Sequence, residues 1–202
     1  MHSNPFSTRF IQPGAIAYHR FDGGSVTQLA TRFLELPSKR ASIIGPHGSG
    51  KSTLVASLVH EFNRMLPDTR IHQLRFSTDQ SASTALNTAL SGWTQSSIAI
   101  LDGYEQLNFW SRIKCAWTTR KKSMRILATA HQRIPSFETL WETSVSDSSS
   151  EWVINQLLKQ SELPDSLSQL LQSSEWQCSR IKHGQNLRES LFDMYDWWHK
   201  RR

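Results

Sequence analysis

The chain has 202 residues, 38% hydrophobic and 20% charged, with 23 Lys plus Arg against 17 Asp plus Glu for a net charge of +6. A chain of this length buries roughly 70% of its unfolded surface, enough for a core without disulfides, and no apolar run approaches the ~20 residues of a membrane span. A membrane protein is excluded on this reading, and the opening Met1-His2-Ser3-Asn4-Pro5-Phe6 lacks the basic and apolar stretches of a secretory signal. Cys115 and Cys178 stand without metal-type spacing, so a reducing, cytoplasmic setting is expected.

In chain order, residues 4–16 form a segment ahead of the core whose Phe10 and Ile11 suit an apolar strap over a sheet edge. Ala41-Ser42-Ile43-Ile44 then reads as a buried parallel strand. It runs into Gly45-Pro46-His47-Gly48-Ser49-Gly50-Lys51-Ser52, a full match to G-x-x-x-x-G-K-[ST]. From Lys51, the residues Leu54, Val55, Leu58, Val59, Phe62 and Met65 recur at helical spacing until Pro67 ends the helix. Strand, glycine loop and helix are the context of a phosphate cradle. Glycines let backbone N–H groups turn inward as an anion nest, and the helix start adds its positive dipole end. Pro46, His47 and Ser49 supply further loop backbone, Lys51 reaches the β- and γ-phosphates, and Ser52, followed by Thr53, offers a hydroxyl to Mg²⁺.

Further along, Ile71 to Phe76 reads as a strand and Ser83 to Trp93 as a helix. The run Ser97-Ile98-Ala99-Ile100-Leu101-Asp102 is a strand ending in a carboxylate placed to hold Mg²⁺, usually through water. Trp110, Ile113 and Trp117 share one helical face with Leu107 nearby, a stripe read as core rather than as a stacking platform for nucleic acid. Met124 to His131 is the next strand, residues 137–145 a fifth, and 143–150 a polar hinge. Residues 151–172 read as two short helices parted at Pro164, and Leu187, Leu191, Met194, Tyr195 and Trp198 mark a final helix ending in a basic tail.

A phosphate loop, an inserted strand and a strand ending in Asp102 resemble the AAA+ and related P-loop ATPases with an added catalytic glutamate. Small bacterial P-loop proteins with a similar opening are also similar to this chain throughout. The resemblance implies a three-layer α/β P-loop NTPase with a parallel sheet of order 5-1-4-3-2 over residues 1–147 and a small helical lid over 148–202. It implies ATP and Mg²⁺ as ligands, Thr129 or His131 as sensor 1 groups, Arg188 as the sensor 2 arginine within Gly184-Gln185-Asn186-Leu187-Arg188, and Phe10 and Ile11 as adenine contacts.

The pattern departs from the family at the acid. Gly103 follows Asp102 where a catalytic Glu is usual, and Glu105 comes three residues after Asp102. Either Glu105 orients and deprotonates water, or the D-G-x-acid pattern resembles signalling NTPases in which nucleotide mainly switches conformation. No arginine finger is evident in the sequence, so slow hydrolysis to ADP and phosphate is expected, stimulated by a homo-oligomer or a protein partner. An Arg-rich lid is missing too, since Lys159 is the basic residue of 146–176, which argues against a nucleotide kinase.

The charge is local. Residues 109–133 hold Arg112, Lys114, Arg120, Lys121, Lys122, Arg125 and Arg133 and no acid, while the rest of the chain has 16 basic against 17 acidic residues. A solvated turn accounts for Arg120 to Lys122; the alternative is contact with an acidic protein or nucleic acid, which would make the chain an ATP-dependent DNA-associated helper.

Overall fold

The computed structural model describes residues 4–77, 79–161 and 167–200. Pro164, the expected break between two helices, and the last two residues of the basic tail lie outside them. The described elements are α1 (Thr8–Ile11), α2 (Val26–Glu35), β1 (Arg40–Ile44), α3 (Lys51–Met65), β2 (Ile71–Arg75), α4 (Asp79–Gly92), β3 (Ile98–Asp102), a 3₁₀ turn (Tyr104–Gln106), α5 (Phe109–Lys121), β4 (Arg125–Ala130), β5 (Glu138–Glu142), α6 (Asp147–Gln160), α7 (Leu167–Leu171), α8 (Ser174–His183) and α9 (Leu187–Lys200).

The five strands form one sheet of order β2-β3-β4-β1-β5, every pair parallel. This is the expected 5-1-4-3-2 order read from the other edge. Parallel strands need crossover connections, and helices covering both faces make the central strands nearly continuous apolar runs. Accordingly β1, β3 and β4 are buried along almost their whole length.

The chain divides into two compact units, one of 25–45 and 58–142, the other of 1–24, 46–57 and 143–202. The first holds the whole sheet. Side chains alternate across a strand, so Ala99, Leu101, Ile126 and Ala128 share one face, where Leu86 and Leu90 of α4, Trp93 just after it and Cys115 of α5 join them in one cluster. In the same unit, Phe33 of α2 meets Phe62 of α3 with ring centroids 5.2 Å apart. α2 was not foreseen from periodicity. Ser25 starts it through a capping box, its hydroxyl accepting from the Gln28 N–H while the Gln28 side chain accepts from the Ser25 N–H.

The second unit is helical around Phe6, Ile154, Leu157, Leu158, Trp176 and Met194, with Phe10, Ile11, Trp197 and Trp198 packed against them. The stretch 143–150, read as a polar hinge, begins where the second unit resumes, and its latter half is helical. Ser146 caps α6, so 147–150 form its first turn, and Thr143 and Val145 are buried. Small polar residues suit an N-cap as well as a linker, which composition alone does not separate.

A correction concerns α5. Trp110, Ile113 and Trp117 are not core: they are 75%, 46% and 64% exposed, and Phe109 beside them is 68% exposed. The helix buries its other side, Ser111, Cys115 and Thr119, small residues spaced by one turn that allow close approach. Their polar groups are satisfied locally. Ser111 Oγ donates to Ser83 Oγ at 3.0 Å, and Thr119 Oγ1 donates to the Cys115 carbonyl at 2.8 Å.

Candidate active site

The glycine loop leaves β1 through Gly45, and its residues from Pro46 on belong to the helical unit. Its turns depend on glycine at two positions. Gly48 has φ +69°, and a Cβ there would fall 1.9 Å from Asn186 Oδ1 and 3.1 Å from its Cα. Gly50 has φ +93°, with the Tyr18 ring 3.4 Å from where a Cβ would stand. Any side chain at Gly48 would therefore meet both backbone strain and a collision. Lys51, the first residue of α3, donates from Nζ to the Pro46 carbonyl at 2.7 Å, so the ammonium arches back over its own loop. Ser49 Oγ donates to the same carbonyl at 2.8 Å and shares a 2.6 Å hydrogen bond with Thr143 Oγ1. Gln185 clamps the segment after Thr143, accepting from the Val145 N–H at 2.7 Å and donating to its carbonyl at 2.9 Å. His47 is exposed, while Ser52 and Thr53 are half-buried in the first turn of α3.

In the sheet unit, a second set of residues converges at the carboxyl ends of β3 and β4. Thr129 Oγ1 donates to Asp102 Oδ1 at 2.5 Å and accepts from the Gly103 N–H at 2.9 Å. One hydroxyl thus fixes both the carboxylate and the chain leaving it. Arg75 Nε lies 3.7 Å from the other oxygen of Asp102. Gly103 has φ +87°, and a Cβ on it would stand 2.9 Å from the Phe76 carbonyl. The unusual glycine after Asp102 is thereby explained: only a residue without a side chain fits this left-handed position, and the 3₁₀ turn that follows carries Glu105.

Glu105 Oε1 lies 3.0 Å from His131 Nε2, and His131 Nδ1 lies 3.2 Å from the Gly45 carbonyl. The imidazole of His131 thus bridges the Glu105 carboxylate and the Gly45 carbonyl, one ring nitrogen to each. Glu105 Oε2 is buried without a hydrogen-bond partner among the described residues. Unpaired buried carboxylate oxygens are costly and concentrate where a ligand or water is handled. Arg112 steadies the turn, donating from Nη2 to the Glu105 carbonyl at 3.0 Å with its guanidinium 5.3 Å from the centroid of the Tyr104 ring. Burial pushes the Tyr104 phenol up to about 12 against the pull of Arg112 and Arg40, and burial likewise pushes the Cys115 thiol up to about 12. Both stay protonated at neutral pH.

Of the residues singled out by sequence, Asp102, Glu105, Thr129, His131 and Gly45 come together in the sheet unit. Arg188 is exposed at the second position of α9, and Phe10 and Ile11 are half-buried in α1 against the helical cluster. Sequence reasoning missed Tyr18, Asn186, Thr143 and Arg112. Asn186 stood beside Arg188 in the stretch already singled out, whereas Arg112 was read only as one charge in a basic segment. Among the described residues no group of three or more His, Cys, Asp or Glu could hold a metal, and no helix is long and apolar enough to cross a membrane.

The Thr129 pair of bonds yields a direct expectation. Thr129→Val keeps the volume but removes the donor to Asp102 and the acceptor for Gly103, costing about 1–3 kcal/mol in chemical denaturation. Thr129→Ser recovers most of this, and an unchanged midpoint in the valine variant would show that these bonds contribute nothing.

No protein-family model and no curated protein matches the sequence. Solved structures do match. The Orc1 protein of Aeropyrum pernix, determined in complex with DNA, aligns at 12% identity over 96% of this chain and 64% of that chain, with a TM-score of 0.62. The present chain therefore spans less than two thirds of the archaeal one. Two mutants of Thermotoga maritima RuvB align at 11% and 10% identity, over 89% and 85% of this chain and 70% and 68% of theirs, with TM-scores of 0.52 and 0.51. At such identities the likeness speaks for the fold, and together with the strand order it shows that this chain has the α/β P-loop fold of AAA+ proteins.

Proposed function

We propose that the chain binds ATP with Mg²⁺ and hydrolyses it to ADP and phosphate, slowly alone and faster in a homo-oligomer or with a protein partner. The observation that carries this reading is Glu105, held by His131 through Oε1 while Oε2 stays buried and unpartnered. A carboxylate fixed in this way is suited to accept a proton from water, a role worth typically 10²–10⁴ in rate. The loop supports the nucleotide half of the reading. Its positive-φ glycines and the steric limit at Gly48 form a cradle that a side chain would fill, at the start of a 15-residue helix.

The roles follow from chemistry. Backbone from Gly45 to Lys51 receives the phosphates, Lys51 the β- and γ-oxygens, and Phe10 and Ile11 the base. Ser52 and Asp102 are assigned to Mg²⁺, which binds through one or two protein oxygens and several waters and would supply charge neutralisation on the phosphates. Thr129 positions Asp102, His131 positions Glu105, and Arg188, on the helical segment 148–202 proposed as the lid, answers to the γ-phosphate. A nucleotide-driven switch without turnover is the second reading, favoured by His131 already occupying one oxygen of Glu105.

An arginine supplied by a neighbouring molecule contributes 10³–10⁵ in rate, more than the glutamate, so it governs the assay. Phosphate release per chain, followed in Mg²⁺ across a dilution series, is expected to rise with protein concentration. Fast turnover that is constant on dilution would sink the partner requirement, and tight ATP binding without any phosphate release would establish the switch.

A further inference from the structure

The aromatic residues of α5 and the cations around them form a surface that the ATP reading does not use. Of the seven basic residues between 109 and 133, three turn inward. Arg112 caps the Glu105 carbonyl, Lys122 donates to the Trp93 carbonyl at 2.5 Å, and Arg125 donates to the carbonyls of Phe33 and Leu36 at 3.3 and 3.0 Å. Lys114, Arg120 and Lys121 remain exposed on the helix that presents Phe109, Trp110 and Trp117. Lys121 Nζ lies 5.2 Å from the Trp117 ring centroid, and Phe109 meets Trp110 edge-on at 5.5 Å. Trp110 and Trp117 are seven residues apart, roughly 10 Å along the helix.

At the carboxyl end of α5 the surface continues into an open cleft of about 410 Å³. Its walls include Lys39, Arg40 and Arg120 and the hydroxyls of Ser38, Ser123 and Ser136. The bordering carboxylate, Glu138, accepts from Ser38 Oγ at 2.6 Å. The volume lies within the ~300–1,000 Å³ usual for small-ligand sites. Cations and hydroxyls with no acid in the lining suit a phosphate-bearing group.

We propose that α5 and this cleft form a binding surface for single-stranded nucleic acid. Such a strand alternates flat aromatic units with anions, which matches exposed indole rings beside exposed cations, whereas a duplex hides its base faces from Trp110 and Trp117. A second copy of the chain fits less well, because pairing this face with itself opposes Lys114, Arg120 and Lys121 to their own kind with no acid between them. The cleft itself lies at the amino-terminal ends of β1 and β4, the opposite edge of the sheet from Asp102 and Thr129.

The test uses the full chain with fluorescein-labelled oligo(dT) and oligo(U), read by anisotropy at several salt concentrations. Binding is expected to fall with salt at a log–log slope of about −2.8, the value for four phosphates neutralised on a single strand by Lys39, Lys114, Arg120 and Lys121. Trp110→Ala and Trp117→Ala should each weaken binding roughly 5- to 150-fold, the worth of one base–aromatic stack. The double variant Lys39→Ala/Arg120→Ala should flatten the slope by about 1.4. These side chains are exposed, so folding is not at stake, and ATP binding is expected to stay unchanged in all three variants. No binding of either oligonucleotide at low salt overturns the proposal, as does binding indifferent to both tryptophans. It is equally overturned if phosphatidylserine vesicles bind while the oligonucleotides do not, or if the tryptophan variants only dissociate a dimer seen by sedimentation.

Discussion

Lys51→Ala is expected to remove measurable ATP binding. Lys51 is the ammonium of the loop proposed to hold the phosphates, and its bond to the Pro46 carbonyl holds it over that loop. The proposed partner is a cluster of phosphate oxygens, and truncating one member of a desolvated charge pair costs about 2–5 kcal/mol, a loss of ~30- to several-thousand-fold in affinity. Titration calorimetry with ATP and Mg²⁺ measures this directly. A thermal unfolding midpoint close to wild type is the needed companion, because the same change deletes a loop hydrogen bond worth about 1 kcal/mol. Equal binding by wild type and variant would remove the loop from the nucleotide site altogether and with it the central functional reading.

Glu105→Gln is expected to separate binding from chemistry. The amide keeps the shape of the side chain and can still hydrogen-bond His131, but it cannot take a proton from water. Turnover should fall by about 10²–10⁴ while the affinity for ATP stays within a factor of a few. Phosphate release under saturating ATP, alongside calorimetry, distinguishes the two. A variant with wild-type turnover would show that the carboxylate is only the acid of a helical first turn. The Gly103 geometry sharpens the reading. Any residue with a side chain at 103 would press on the Phe76 carbonyl, so the acid of this site has to come later in the chain, and the 3₁₀ turn brings it to His131.

The local elements were largely legible because each rests on short-range physics. A glycine loop between an apolar strand and a 3.6-period helix has one reading, and β1, the loop and α3 follow it. The apolar runs at 98–102 and 125–130 are strands for the same reason. Even the sheet order could be expected, since it came with the family that the loop and Asp102 resemble.

What the tertiary structure alone decided is which surface each side chain meets. The spacing of Trp110, Ile113 and Trp117 correctly placed them on one face of α5, but periodicity cannot say which face turns inward. The helix instead packs through Ser111, Cys115 and Thr119, whose small volumes let it approach α4 and the sheet, and the aromatic stripe is left outside. The same limit hid the division of the basic segment. Arg112, Lys122 and Arg125 spend their charge on backbone carbonyls that only the folded chain brings within reach, while Arg120 and Lys121, indistinguishable from them in sequence, remain in solvent. Sequence determined the loop, the strands and the identity of the acids, because backbone conformation and hydrophobic period act over a few residues. Contacts between residues far apart in the chain, such as Thr129 with Asp102, His131 with Gly45 and Asn186 with Gly48, were decided by packing, which no local pattern encodes.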